Sequence, residues 1–495
     1  MPQSSEIQKF FANKCVLLTG ATGFMGKCFV EKILRECPDL KKLYVLVRQK
    51  NGQSPEELIK KYFKSVIFDK LRNTNPNFAK NLVVVKGDLL ENRLGLSEKD
   101  RKILTDEVDI IVHNGANVKF VEEIKVSLRC NVLATKDMLD LAMECKRIIA
   151  FMYVSTAYSH NYRLDVEEKF YDPPGDLKMV HDMIVSDEAA KYGLAEDVVQ
   201  MLLGKWDNIY VFTKAICEDL VRQYGEKADF ACGVYRPSIV SAAYDEPLQG
   251  WVGNMNGPGY CFLGTALGAV HTSFDNGSAM DLIPSDFCIN SLITAIYDLP
   301  QRCKREGKPV VYNFGSSTLN PFRVPKAYKV LKVKAAEIGS KHTVWHPFHI
   351  FVTQKWMFYI LHLLCHCLPA VFVDIVLLVT GNKPRALSLC IMAFKMADKL
   401  FIYQTTNWRI HCPEMMKVYD KLNDTDKVKF NYDIRKINWD EFCHRYTTGC
   451  RVHVLKEPLD NVPQTRRRYM LQMYLHYTFC AVLLFALVYY ISRFF

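Results

Sequence analysis

Nowhere in these 495 residues do two cysteines stand at C-x-x-C spacing. The closest pair is Cys365-His366-Cys367, so zinc ribbons and thioredoxin motifs are excluded and no metal is expected. The 17 cysteines read instead as scattered, reduced core residues of a chain facing the cytosol. No run of five or six basic residues occurs, which argues against a nucleic-acid-binding tail. The N-terminal stretch has no apolar h-region, so a signal peptide is not expected. The final residues, Ser492-Arg493-Phe494-Phe495, are neither an ER-retention nor a peroxisomal-matrix signal. There is no internal repeat and no low-complexity tract.

What is present can bury a substantial core. Hydrophobic residues make up 49% and charged residues 24%, which excludes wholesale disorder. The formal charge is +11 and is spread along the chain. An anionic substrate, cofactor or membrane surface fits that excess better than nucleic acid.

The first half alternates short apolar runs with amphipathic stretches. Strands are expected at Val16–Thr19, Leu43–Val47, Leu82–Val85, Ile110–His113, Phe151–Ser155 and Cys232–Tyr235. Helical patterns lie between them, such as Cys28–Arg35, Ile124–Glu144 and Phe212–Tyr224. Unalternating β-rich runs separated by helices imply a parallel sheet covered on both faces. The expected class is therefore α/β, a Rossmann-type doubly wound parallel sheet. The sheet pattern fades after about Ile283, and a connecting segment is expected near Lys334–Lys341. From Val344 to about Tyr446 the chain reads as a separate α-helical unit. The expected division is 1–340 for cofactor and substrate, 344–450 helical, and 469–492 as a transmembrane helix.

Tyr469–Ser492 contains no Asp, Glu, Lys or Arg over 24 residues. As a helix it would reach about 36 Å, enough for a hydrocarbon core of about 30 Å. Tyrosines sit near both ends, as in an aromatic belt, with His476 the one blemish. Arg466, Arg467 and Arg468 precede the segment and only Arg493 follows, which predicts a cytosolic body on a single C-terminal anchor. Trp356–Val373 is also free of charge, but Pro369 is expected to break its last turn. A half-buried or membrane-dipping helix, or an acyl-binding wall, is preferred there to a second span.

The strand at Val16-Leu17-Leu18 runs into Thr19-Gly20-Ala21-Thr22-Gly23-Phe24-Met25-Gly26, and a helix follows. Gly20 permits the tight turn, Gly23 lets the backbone approach a pyrophosphate, and Gly26 lets the helix pack on the sheet. The helix N-terminus then offers N–H groups to phosphate, with Thr19, Thr22 and Phe24 in the same turn. Arg48 follows the second strand, where an NAD enzyme places a carboxylate for the ribose diol. A guanidinium fork there suits a 2′-phosphate, so NADPH is the expected cofactor. Asp88 is either an acceptor for the adenine amino group or a turn aspartate. His113-Asn114-Gly115-Ala116 should line the cofactor, and Asn131 should order water or backbone nearby.

Tyr210-Val211-Phe212-Thr213-Lys214 sets a phenol and an ammonium on one helix face. The nearby cation is expected to lower the phenol pKa, and Lys214 can also hold the nicotinamide ribose. Upstream, Val154-Ser155-Thr156-Ala157-Tyr158 ends a strand, where a hydroxyl could donate to a substrate carbonyl. Thr156 is the preferred donor and Ser155 the second choice.

Together these residues resemble the extended short-chain dehydrogenase/reductases, and within them the alcohol-forming fatty acyl-CoA reductases. The resemblance rests on Leu17–Lys27, Tyr44–Arg48, Val154–Tyr158, Tyr210–Ala215 and Arg236-Pro237-Ser238-Ile239-Val240. Asn256-Gly257-Pro258 and the helical C-terminal region fit the family's second domain. Gly115 departs from the family, which usually carries Ala there. The resemblance implies NADPH-dependent reduction of a long-chain acyl-CoA to a primary alcohol by way of an aldehyde, in lipid, wax or ether-lipid synthesis. It also implies Pro237 in the cofactor site and an ER or peroxisomal membrane location. A membrane-anchored sterol dehydrogenase and a non-enzymatic NADP-binding scaffold are the competing readings. Whether the chain forms a homo-oligomer is left open by its sequence.

Overall fold

Cys15–Thr19 is buried at every position, which a strand achieves only when both faces of its sheet are covered. The computed structural model describes residues 4–493 except 51, 120–121, 254–257 and 400. Asn256 and Gly257 of the family-like motif lie outside the described residues. Seven strands build the main sheet: β1 (Cys15–Thr19), β2 (Lys42–Val47), β3 (Leu82–Lys86), β4 (Ile110–His113), β5 (Ala150–Val154), β6 (Ala231–Pro237) and β7 (Val310–Phe314). Their order is β7-β6-β5-β4-β1-β2-β3, and every pairing is parallel. This is the doubly wound Rossmann-type sheet the sequence predicts.

Successive residues of one strand enter different cores, as strand geometry requires. Val16, Leu18, Ile110 and Val112 join the cluster under the helices Phe24–Glu36 and Ser285–Glu306. Leu17, Ile111, Phe151 and Tyr153 join the cluster under Ala134–Glu144 and Ile209–Gly225. Chain order reverses between β1 and β4, where Thr19 stands beside His113. Ligands of such sheets bind outside the strand ends at that reversal.

β7 corrects the expectation that the sheet ends near Ile283. It follows a 22-residue helix, and the polar Asn313 interrupts its apolar run. The segment at Lys334–Lys341 is not all connector either, because the helix Val324–Ile338 continues to Gly339. Most of 344–450 is helical, and part of it packs on the sheet. Met415, Tyr419, Phe430 and Tyr432 share the first core cluster, and Arg409-Ile410 pairs with Asp165-Val166.

Among the described residues, two helices are long and apolar enough to cross a membrane: Lys355–Val379, of 25 residues, and Val462–Ile491, of 30. Pro369 does not end the first. A π-helical turn at Leu363–Cys367 comes immediately before it, and the wider turn accommodates a ring that would clash with a carbonyl four residues back. His476 also has a physical role. Its Nδ1 accepts from Trp345 Nε1 at 2.9 Å and its ring stacks on Phe348, so the helix is seated on the body.

Candidate active site

The phosphate turn is built by close backbone approach. Gly20 has φ +71°, and a Cβ there would lie 2.8 Å from both Cα and N of Gly115. A Cβ on Gly26 would collide with the Gly20 carbonyl oxygen. Gly23 is the N-cap of the helix Phe24–Glu36 and supplies no side-chain cap. The first N–H groups therefore lack the usual side-chain acceptor, and they open beside the exposed Thr22 and Gly23. A pyrophosphate fits this cradle, where backbone N–H groups and the helix dipole both favour an anion. Phe24 stacks on Trp251 and walls one side.

At the chain reversal, His113 acts as a bracket. It is fully buried, with Nδ1 2.7 Å from Thr19 Oγ1 and Nε2 3.1 Å from Thr135 Oγ1. Burial, with the Lys214 charge adding, lowers its pKa to about 3, so the ring is neutral. Thr19 is equally buried, and its Oγ1 accepts from the Gly115 N–H at 2.9 Å. These two side chains hold the ends of β1 and β4 together. Gly115 sits in the contact, and Ala116 beside it is partly exposed. A Cβ at 115 would meet Leu89 Cδ1 at 2.7 Å, so glycine suits the spacing here.

Asn131 is likewise a clamp. Its Oδ1 accepts from Asn117 N–H at 2.7 Å, and its Nδ2 donates to the Asn117 carbonyl and to Thr213 Oγ1. Pro237 is buried, and its carbonyl accepts from Ala157 N–H at 2.9 Å, fixing the turn after β5. Arg48 is exposed at the end of β2 and forms no ion pair among the described residues. Asp88 Oδ1 accepts from Leu90 N–H at 3.0 Å, the geometry of a turn aspartate.

The catalytic candidates converge at the end of β5. Lys214 is buried and donates to the Val154 carbonyl at 2.6 Å, with its Nζ 5.9 Å from the centre of the Tyr210 ring. Burial lowers the Lys214 pKa to about 8. The expected lowering of the Tyr210 pKa is not what the fold produces. Burial raises it and the Tyr403 phenol raises it further, so Tyr210 keeps its proton. That state suits a proton donor better than a phenolate.

The neighbouring hydroxyls differ. Ser155 Oγ donates to the buried Glu218 at 2.5 Å. Arg236 forks onto the same carboxylate at 2.6 and 2.9 Å, and His160 Nε2 lies 3.3 Å away. Burial alone would raise the Glu218 pKa, but Arg236 and His160 outweigh it and hold Glu218 ionised. Thr156 Oγ1 instead accepts from Tyr158 N–H at 3.3 Å, which leaves its O–H to donate.

The helical region supplies residues that sequence reasoning missed. Tyr403 accepts at its OH from Asn208 Nδ2 at 3.1 Å, and Asn208 is the N-cap of the helix carrying Tyr210. The Tyr403 and Trp408 rings both pack edge-on against Tyr158.

A family profile described as male sterility protein, NAD-binding, matches residues 18–292. A second one described as male sterility protein matches residues 365–457. The chain is 33% identical over 462 residues to fatty acyl-CoA reductase 1 of Rattus norvegicus, covering 93% of this chain and 88% of that protein. It is 34% identical over 476 residues to fatty acyl-CoA reductase 1 of Homo sapiens, with the same coverage. Among solved structures, the terminal R domain of the myxalamid PKS-NRPS pathway superposes with a TM-score of 0.60 at 20% identity, over 90% of this chain and 93% of that one. The reductase domain of a nonribosomal peptide synthetase from Mycobacterium tuberculosis gives 0.59 at 17% identity, over 92% and 97%. At these identities the two structures speak to the fold alone.

Proposed function

We propose, from the premise that this chain belongs to the fatty acyl-CoA reductase family and is an oxidoreductase on a nicotinamide-binding fold, that it reduces a long-chain or very-long-chain fatty acyl-CoA to a primary alcohol with two equivalents of NADPH. The observation that carries this reading is a continuous linkage. The turn residue Thr19 bonds His113, His113 stands beside Tyr153 where β4 pairs with β5, and Lys214 lies over the Tyr153 ring and bonds the β5 end that bears Thr156. A phosphate cradle and a proton donor are thereby fixed in one frame.

NADPH, when bound, supplies hydride to the carbonyl carbon. Gly20, Gly23 and the uncapped helix N-terminus would hold its pyrophosphate, and Arg48 its 2′-phosphate. Thr156 donates to the thioester oxygen as negative charge develops there, and Tyr210 shares that role. The hemithioacetal so formed collapses to the aldehyde as its C–S bond breaks, and coenzyme A leaves as the thiol after taking up a proton. A second hydride then reduces the aldehyde carbon, and Tyr210 gives its proton to the alkoxide oxygen. Lys214, held by Val154, keeps a positive charge beside Tyr210 and can hold a ribose hydroxyl.

The chain divides for this task into a reductase part over 1–340, a helical part over 344–450 and an anchor over 469–492. The anchor holds the body on the cytosolic side of an ER or peroxisomal membrane, within reach of a waxy product. The deciding experiment gives purified full-length protein NADPH and a ladder of saturated and unsaturated acyl-CoAs, with alcohol and aldehyde counted separately. Alcohol formation is expected. Turnover of a sterol but of no acyl-CoA would favour the sterol-type reading.

A further inference from the structure

Cys365-His366-Cys367 carries no metal spacing in the sequence, yet the fold brings Cys367 to other ligands. In an α-helix, residues five apart point about 140° away from each other. A π-helical turn bonds i to i+5 and brings such residues toward one face. The turn Leu363–Cys367 does this for His362 and Cys367. The chain then reverses, and the helix Ala386–Lys399 presents Cys390 to the same place. Cys390 Sγ lies 3.7 Å from Cys367 Sγ and 3.5 Å from His362 Nε2. All three ligand atoms lie within 4.8 Å of one another, and the three residues are half-buried. A tetrahedral zinc with Zn–S of about 2.3 Å and Zn–N of about 2.0 Å would set S···S at about 3.8 Å and S···N at about 3.5 Å.

We propose that His362, Cys367 and Cys390 bind one divalent zinc-class ion, which pins the helix Ala386–Lys399 to Lys355–Val379. Two thiolates and a neutral imidazole are a soft, zinc-selective set. They also cancel the charge of a divalent ion. A neutral cluster tolerates the apolar surroundings of this helix far better than a net charge would. Three protein ligands leave a fourth tetrahedral position for a solvent ligand.

The hairpin has other ties at its tip and along its length: Lys355 pairs with Asp398 at 3.2 Å, and the Phe394 ring packs against Phe358, Tyr359 and His362. Asp374 accepts from the N–H groups of Arg385, Ala386 and Leu387 at 2.8, 2.8 and 2.9 Å, which closes its tip. Outside that contact, Phe372, Val379 and Leu389 are exposed. An ion at the middle of the hairpin would add to these contacts and fix the register of the two helices, since metal binding is then folding free energy. This inference stands apart from the acyl-CoA reading.

The test uses full-length protein purified in detergent without chelators, with zinc counted by elemental mass spectrometry. About one zinc per chain is expected, falling by about one in Cys367→Ser and Cys390→Ser. His362→Ala should weaken zinc binding by about 100-fold or more against a chromophoric chelator. NADPH binding should persist in all three variants, because the residues lie outside the reductase site. Should a cysteine variant not fold, cobalt added to the metal-free wild type decides. Thiolate-to-cobalt charge-transfer bands of a tetrahedral site support the proposal, and the spectrum of hydrated cobalt overturns it. Zinc content unchanged in folded variants, or a Cys367–Cys390 disulfide in a zinc-free wild type, overturns it as well.

Discussion

Ser155 Oγ and Glu218 Oε1 stand 2.5 Å apart in the interior, 63 residues apart in sequence. That bond ties the end of β5 to the helix carrying Tyr210 and Lys214. It also occupies the hydroxyl one residue before Thr156, so two adjacent hydroxyls have different work.

Ser155→Ala and Thr156→Val should therefore separate. Removing Ser155 Oγ takes a hydrogen bond from an ionised partner, and a loss of about 1.5–3 kcal/mol in stability is expected with turnover largely kept. Thr156→Val should melt near wild type and lose turnover by about 10²-fold or more. Urea melts and initial rates on both variants check this. The opposite pattern would make Ser155 the donor.

Tyr210→Phe keeps the ring and removes the proton. Alcohol formation should fall by about 10²–10⁴-fold, while NADPH titration stays near wild type. Near-normal turnover would remove Tyr210 from the acid role.

Arg48→Ala tests the cofactor choice. A lost charge-assisted hydrogen bond is worth about 1.5–3 kcal/mol, so NADPH binding should weaken by roughly 10- to 150-fold. NADH binding should change little. Equal losses for both would make Arg48 a general surface charge.

Lys214 gives a pH dependence of known sign. Its ammonium is complete below a pKa of about 8 and is lost as pH rises through that value. The profile of kcat/KM, which reports the free enzyme, should fall above pH about 8. The stability contribution runs the other way. The unfolded side chain keeps its proton up to its ordinary 10.5, so between about 8 and 10.5 this residue makes the fold more stable as pH rises. A kcat/KM profile level through that window would mean that the Lys214 charge is not needed.

Cutting the chain before Tyr469 tests the anchor. Much of the protein should leave alkaline-washed membranes, and some should stay because Trp356, Phe372 and Val379 remain exposed on the other apolar helix. The reductase fold should survive, as judged by NADPH binding. In intact organelles, external protease should digest the body of the full-length chain. Protection of residues 20–214 would reverse the proposed topology.

Local spacing was enough for the features that one segment builds by itself. The turn from Gly20 to Gly26 reads directly, because a Cβ at either end would collide with neighbouring backbone. So does the pairing of Tyr210 with Lys214, because residues four apart share a helix face. The uncharged run from Tyr469 reads directly as an apolar helix, because composition and length decide that. Tertiary structure decided whatever depends on a distant partner. Glu218, with Arg236 and His160, engages Ser155, while Thr156 keeps its O–H to donate. Burial outweighs the nearby cation and sets the direction of the Tyr210 pKa. His113 turns inward to join Thr19 and Thr135, and β7 completes the sheet from a run of five residues. A π-turn and a chain reversal bring His362, Cys367 and Cys390 together. Sequence spacing fixes which residues share a face, but packing fixes what that face meets.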